Sequence, residues 1–171
     1  VGMTGGPHEQ LAQNIRTPAD LHALLMTPKN KEICLIDEIH ELQPMVQTCL
    51  YRAMENQQIF LETKRCKKSR PVKIANFTII GATTDPQKLL QPLRDRFKLV
   101  LEFEFYIEQE LEALLRIRSN QMGMHVDAAV FSMIAQRGKG TPRIALRLLE
   151  STRMVASADN AEVITTEHFF R

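Results

Sequence analysis

The sequence has 171 residues, of which 44% are hydrophobic and 25% are charged. This balance is typical of globular proteins and excludes a disordered or fibrous chain. The net charge of +2 is too small to indicate a partner by itself, so only local charge clusters can do so. No apolar stretch approaches the roughly 20 residues of a membrane helix, which predicts no membrane partner. The three cysteines form no C-x-x-C pair and predict free thiols in the cytoplasm.

The first hundred residues alternate between helical and strand patterns. Thr17-Pro18-Ala19-Asp20 combines a capping threonine, a first-turn proline and an early acid, which predicts a helix start. A second helix is predicted from Pro44, because apolar residues between Met45 and Met54 recur at helical spacing on one face.

Three runs of mostly apolar residues, the first of them unbroken, predict buried strands in the same part of the chain. They lie at residues 33–36, 77–80 and 99–103. Strands that are separated by helices indicate a parallel sheet with right-handed crossovers.

From about Ile107 onward the pattern is helical only. The predicted helices begin at Glu108, near Asp127, at Thr141-Pro142 and at Thr165 or Thr166. We therefore predict an α/β part over residues 1–106 and a small all-α part over residues 107–171.

The strongest chemical signal is the strand Ile33-Cys34-Leu35-Ile36, which ends in Asp37 and Glu38. In open parallel sheets, ligands bind at this carboxyl edge of the strands. The first acid can hold Mg²⁺, usually through water, and the second can orient or deprotonate an attacking water. The alternative is a strand whose solvated end is simply acidic.

Three further patterns carry polar groups that suit a nucleotide. Thr84 follows the second strand and can reach the same phosphate, or it can belong to a turn that caps the next helix. Arg94 and Arg96 can pair with surface acids, or one can reach a neighbouring subunit's nucleotide as an arginine finger. Arg143, beside Pro142 in a first helical turn, opposes the helix dipole but is well placed for an anion.

The order and spacing of these pieces resemble the RuvB family of Holliday-junction branch-migration AAA+ ATPases along nearly the whole chain. The matching stretches run from Thr4-Gly5-Gly6-Pro7 to Phe169, and the most specific is Gly81-Ala82-Thr83-Thr84 followed by Pro92-Leu93-Arg94-Asp95-Arg96-Phe97. The resemblance implies part of an AAA+ P-loop NTPase core with a parallel sheet, followed by a helical lid domain. It also implies ATP and Mg²⁺ as cofactors, and homo-hexameric rings on duplex or four-way-junction DNA.

The resemblance implies a role for each matched residue. Asp37 and Glu38 look like the Walker B pair, and Thr84 looks like sensor 1. Arg96 looks like the arginine finger, with Arg94 as the second choice. Arg143 resembles sensor 2, beside Pro142, and Tyr106 resembles the residue that packs near the adenine.

The stretch between Gln58 and Ile74 can form a hairpin with Ile59-Phe60-Leu61 and Val72-Lys73-Ile74 as its arms. Five basic residues lie between those arms: Lys64, Arg65, Lys67, Lys68 and Arg70. In the RuvB family a hairpin at this point contacts the partner protein RuvA. The basic side chains can instead touch DNA phosphates or form a solvated loop.

The chain also departs from the family pattern. The phosphate-binding motif G-x-x-x-x-G-K-[ST] does not occur in the sequence, and we expect it upstream of Val1. The family's C-terminal winged helix is likewise missing from the match, so we expect the isolated chain to hydrolyse ATP negligibly. Two alternatives stay open: a non-hydrolysing AAA+-like structural or regulatory subunit, and a clamp-loader-like ATPase.

Overall fold

The structure is a computed structural model that describes residues 8–63 and 66–171. The predicted match at Thr4-Gly5-Gly6-Pro7 and the basic residues Lys64 and Arg65 therefore lie outside the described residues. The chain divides into two compact units, and the division falls between residues 100 and 101.

A three-stranded parallel sheet forms the centre of the first unit. Its strands are β1 (His8–Leu11), β2 (Ile33–Asp37) and β5 (Thr78–Gly81), in the order β1-β2-β5. Cys34 of the central strand lies opposite His8 on one side and Ile79 on the other. Its side chain is buried with that of Ile36, since alternate residues of a strand point to the same face. The predicted strands at 33–36 and 77–80 are confirmed.

Helices of the first unit begin where the sequence predicts them. They are α1 (Pro18–Leu25), α2 (Pro44–Asn56) and the short α3 (Gln91–Arg94). Thr17 and Asp20 form a reciprocal capping box at the start of α1. The hydrogen bond from the Thr17 hydroxyl holds the pKa of Asp20 below its usual value. The prediction that Met45 belongs to the buried face of α2 is wrong. Met45 lies in the first helical turn, and 61% of it is exposed.

The hairpin between α2 and β5 is longer than the sequence predicts. Its antiparallel strands are β3 (Gln58–Thr63) and β4 (Cys66–Lys73). Lys67, Lys68 and Arg70 therefore lie in β4 itself rather than between the two arms, which corrects the prediction. Arg70 is exposed and lies opposite Leu61. The difference arises because the backbone of β4 is extended as far back as Cys66, which pairs with Thr63 beyond an irregularity in the register.

The predicted third strand at residues 99–103 is wrong. None of these residues is in a strand, and none pairs with another strand within the described part of the chain. The segment is apolar but exposed, with Leu99 72% and Phe103 92% accessible. An apolar run becomes a strand only where a neighbouring strand pairs with its backbone.

The second unit consists of helices around their own core. The helices are α4 (Glu108–Gln121), α5 (Ala128–Gly138), α6 (Pro142–Ala158) and α7 (Thr166–Phe170). The buried residues at the centre of this core include Leu111, Leu115, Val130, Ile134, Ala145 and Leu149. The predicted helix starts near Asp127, at Thr141-Pro142 and at Thr165 are confirmed.

Cys34 and Cys49 are free thiols. Cys34 lies in the core of the first unit, where burial raises the pKa of its thiol to about 11. Cys49 is partly buried on α2. Among the helices of the described residues, none has the combined length and apolar character needed to cross a membrane.

Candidate nucleotide-hydrolysis site

Asp37 and Glu38 lie at the carboxyl end of β2, beside the segment that follows β5. Backbone hydrogen bonds continue past the strand ends and hold the two segments together. The Ala82 N–H donates to the Ile36 carbonyl at 3.0 Å, and the Ile39 N–H donates to the Ala82 carbonyl at 2.9 Å. The sheet thus brings residues about 45 positions apart in sequence to one edge, where α/β folds bind ligands.

Glu38 has a left-handed backbone conformation, with φ at 49° and ψ at 46°. A non-glycine residue in this region costs about 1–3 kcal/mol and persists only where its surroundings hold it. Its Oε2 accepts a hydrogen bond from the Thr84 hydroxyl at 3.2 Å, and 38% of its side chain is exposed. The predicted pair of Glu38 and Thr84 is therefore brought together, with the carboxylate accessible to solvent.

Asp37 precedes the turn and is partly buried. Its Oδ1 accepts the backbone N–H of Glu38 at 3.0 Å, which fixes the carboxylate at the strand end. A single oriented carboxylate with a second acid beside it fits Mg²⁺, because this ion keeps several waters and takes few protein ligands. Among the described residues there is no cluster of three or more metal-binding side chains, so an all-protein metal cage is not formed.

Two residues beside this pair were not singled out by the sequence reasoning. His40 contacts Glu38 and also Thr83, whose Oγ1 lies 2.9 Å from His40 Nδ1. The sequence Asp37-Glu38-Ile39-His40 could have indicated the contact with Glu38, because it places the histidine two residues after that acid. The contact with Thr83 spans 43 positions and depends on strand pairing that the sequence does not specify.

Gly81 ends β5 at a point where the chain has no room for a side chain. A Cβ atom built there would lie 2.8 Å from Cδ1 of Ile39 and 3.3 Å from the ring of Phe97. Ile39 directly follows Glu38, so a shift that reached the Ile39 backbone would move the turn that carries the carboxylate.

We expect Gly81→Ala to lower the free energy of unfolding by about 1–3 kcal/mol, because it overpacks this contact. Chemical denaturation of both proteins measures the change. Gly123→Ala is a poor control, since Gly123 has a positive φ. Ser151→Ala, at an exposed serine of α6, provides a small-residue control elsewhere in the fold. An unchanged unfolding midpoint in Gly81→Ala would contradict the close approach.

Arg94 and Arg96 lie at the end of α3 and just after it, and their partners differ. Arg96 Nη2 donates to Glu55 Oε1 of α2 at 2.8 Å. Arg94 Nη2 donates to Gln91, within its own helix. The Nε atoms of both arginines are buried without a hydrogen-bond partner among the described residues. Arg96 is thus held by another element, and Arg94 by its own.

The second unit carries the remaining predicted residues. The Tyr106 N–H donates to the Gly140 carbonyl at 3.0 Å. Gly140 has a φ of +74° and leads into α6, which begins at Pro142 with an exposed Arg143 in its first turn. Tyr106, Pro142 and Arg143 therefore lie near one helix N-terminus, where free N–H groups and a guanidinium favour an anion.

Two protein-family models match the chain. The one described as the Holliday junction DNA helicase RuvB P-loop domain matches residues 3–103. The one described as the RuvB AAA lid domain matches residues 106–169. Together they cover nearly all of the sequence.

Solved structures of Thermotoga maritima RuvB are similar to this chain. The structure described as the Holliday junction branch migration motor is 32% identical, with a TM-score of 0.84, over 96% of this chain and 51% of that chain. A structure of a variant of that protein has a TM-score of 0.86 at 32% identity, over 96% of this chain and 52% of that chain. The chain thus spans about half the length of these relatives. The predicted fold class, part of an α/β core followed by a helical lid, is confirmed.

Proposed function

The chain belongs to the RuvB family, and on that premise we propose that it is part of an ATP-driven motor that moves the branch point of four-way-junction DNA. The observation that carries the proposal is the hydrogen bond between Glu38 and Thr84 at the carboxyl edge of the sheet. It joins residues that follow two neighbouring parallel strands, at the edge of the sheet where ligands bind in α/β folds. The free thiols of Cys34 and Cys49 are consistent with a cytoplasmic location.

Within this proposal, Glu38 orients and deprotonates the water that attacks the γ-phosphate of ATP. Thr84 fixes the Glu38 carboxylate through its hydroxyl. As sensor 1, it also responds to the presence or loss of the γ-phosphate. Asp37 holds Mg²⁺ through water. When bound, this ion neutralises the charge that develops on the transferred phosphoryl group.

The proposal gives Arg96 the role of an arginine finger that acts on ATP bound by a neighbouring subunit, within a hexameric ring. Its exposed ion pair with Glu55 supports this role, because such a pair stabilises the fold by about 0–1 kcal/mol and is readily exchanged. Arg143 would contact the phosphates as sensor 2. Pro142 and Tyr106 would border the nucleotide base.

For the β3–β4 hairpin we propose contact with a macromolecular partner. Its basic residues, Lys64, Arg65, Lys67, Lys68 and Arg70, suit DNA phosphates, for which each neutralised charge adds salt-dependent affinity. A RuvA-like protein is the second candidate partner, on the strength of the family resemblance.

The test is ATP hydrolysis by the full-length protein encoded by the reading frame that contains this sequence. We expect four-way-junction or duplex DNA to stimulate hydrolysis, and we expect the isolated 171 residues to be inactive, because they include no phosphate-binding loop. Failure of the full-length protein to bind and hydrolyse ATP would contradict the proposal and would favour a non-hydrolysing structural subunit. Stimulation only by a sliding clamp and primed DNA would favour a clamp-loader-like ATPase.

A further inference from the structure

His40 lies in the turn Ile39–Glu41 and has a charged group at each side of its ring. Only 7% of its side chain is exposed. Nε2 lies 3.1 Å from Glu41 Oε1, and Nδ1 lies 3.3 Å from Glu38 Oε2 and 2.9 Å from Thr83 Oγ1. Both nitrogens of a nearly buried imidazole therefore face polar partners, which a histidine that only fills space does not require.

The contacts restrict how protons are distributed around the ring. Thr83 Oγ1 accepts the Asp85 N–H at 3.0 Å, so its hydroxyl hydrogen is free to point to His40 Nδ1. Carboxylates only accept hydrogen bonds, and Glu41 lies within ion-pair distance of Nε2, so a hydrogen on Nε2 faces that carboxylate. A hydrogen on Nδ1 lets the ring donate toward Thr83 and Glu38, and this is the state in which it holds the Glu38 carboxylate. In either state the ring links the turn after β2 to the segment after β5.

The same carboxylate oxygen of Glu38 receives contacts from two sides. Thr84 donates to Oε2 at 3.2 Å, and His40 Nδ1 lies near that atom as well. Within the described residues, Oε1 of Glu38 has no hydrogen-bond partner and remains available for a water molecule. The arrangement fixes one oxygen of the carboxylate and leaves the other free to act on water.

We propose that His40 is a positioning residue for ATP hydrolysis: its ring fixes the Glu38 carboxylate and ties it to the Thr83–Thr84 segment. This inference rests on the proposed function and extends it by one residue. His40 acts through Glu38 and does not touch ATP. Its contribution is orientation, because a displacement of about 1 Å in a catalytic group can cost on the order of 100-fold in rate.

The test compares three variants in the full-length protein: His40→Ala, His40→Gln and His40→Asn. The asparagine amide can place a nitrogen near the position of Nδ1, whereas the longer glutamine places its nitrogen near Nε2. We expect kcat for ATP to fall by about 10- to 100-fold in His40→Ala and His40→Gln, with KM changed less than about twofold. His40→Asn should recover most of the lost rate. His125→Ala, at an exposed histidine of the second unit, is the matched control.

A second readout needs no hydrolysis. Thermal unfolding without nucleotide is measured for Glu38→Gln, His40→Ala and the double variant, and the two shifts in Tm should not add, since contacting residues are coupled. Additive shifts, or equal kcat losses in all three His40 variants, would overturn the inference. If Glu38→Gln abolishes hydrolysis while His40→Ala leaves it intact, the proposed function stands and the role of His40 fails. If the unmodified protein does not hydrolyse ATP, both fail.

Discussion

Replacement of Glu38 by glutamine is expected to lower kcat for ATP hydrolysis by about 10²- to 10⁴-fold, the usual contribution of a general base. Glutamine keeps the size of the side chain and can still accept the hydrogen bond from Thr84. It cannot take a proton from water at neutral pH. Affinity for ATP should stay within a few-fold of the unmodified protein, because the proposed role of Glu38 is to act on the reacting water and not to bind the phosphates. Steady-state hydrolysis and equilibrium binding of a fluorescent ATP analogue measure the two quantities.

Glu9→Gln is the matched control for this change. Glu9 is an exposed carboxylate on β1, and the substitution alters the charge by the same amount. It should leave both hydrolysis and binding unchanged. Undiminished turnover in the Glu38→Gln protein would remove Glu38 from the chemistry and with it the assignment of this sheet edge as the hydrolysis site.

Replacement of Arg96 by alanine is expected to lower kcat by about 10³-fold or more, the effect of losing an arginine finger. Stability should change little, because the pair with Glu55 is exposed on both sides, 37% and 49%. Arg94→Ala is the control, since Arg94 donates to Gln91 of its own helix. The loss in kcat should be larger for Arg96→Ala than for Arg94→Ala. Hydrolysis rates and thermal unfolding of both variants decide between the two arginines.

Mixed rings test whether Arg96 acts on a neighbouring subunit. A Glu38→Gln subunit still carries Arg96, and an Arg96→Ala subunit still carries Glu38. Inactive proteins of the two kinds, mixed and reassembled, should therefore regain part of the hydrolysis rate at interfaces that combine the intact residues. No recovery at any mixing ratio would mean that Arg96 acts within its own subunit or not at all.

The sequence predicted elements that depend on local chemistry. The capping box of Thr17 and Asp20, the proline starts of α2 and α6, and the apolar run of β2 each have physical causes within a few residues. The acids at the end of β2 and the threonine after β5 also follow from strand ends that the local pattern reveals. Their proximity follows because parallel neighbouring strands end at one edge.

Features that depend on distant partners could not be predicted in the same way. The apolar segment at 99–103 has a strand composition, but pairing decides whether a strand forms. The charges of Lys67 and Lys68 suggested the tip of the hairpin, whereas β4 includes both residues and its pairing with β3 is resumed beyond them at Cys66. Glu55, the partner of Arg96, lies 41 positions away, and Thr83, one of the partners of His40, lies 43 positions away. No local pattern identifies such pairs.

Branch migration on a four-way junction measures the proposed motor function itself. A synthetic four-way junction with homologous arms is incubated with the full-length protein, ATP and Mg²⁺, together with a RuvA-like partner where the genome encodes one. We expect the junction to be dissociated into duplex products at a rate that depends on ATP. We expect Glu38→Gln to abolish this dissociation. ATP hydrolysis without movement of the junction, or movement that survives Glu38→Gln, would contradict the account.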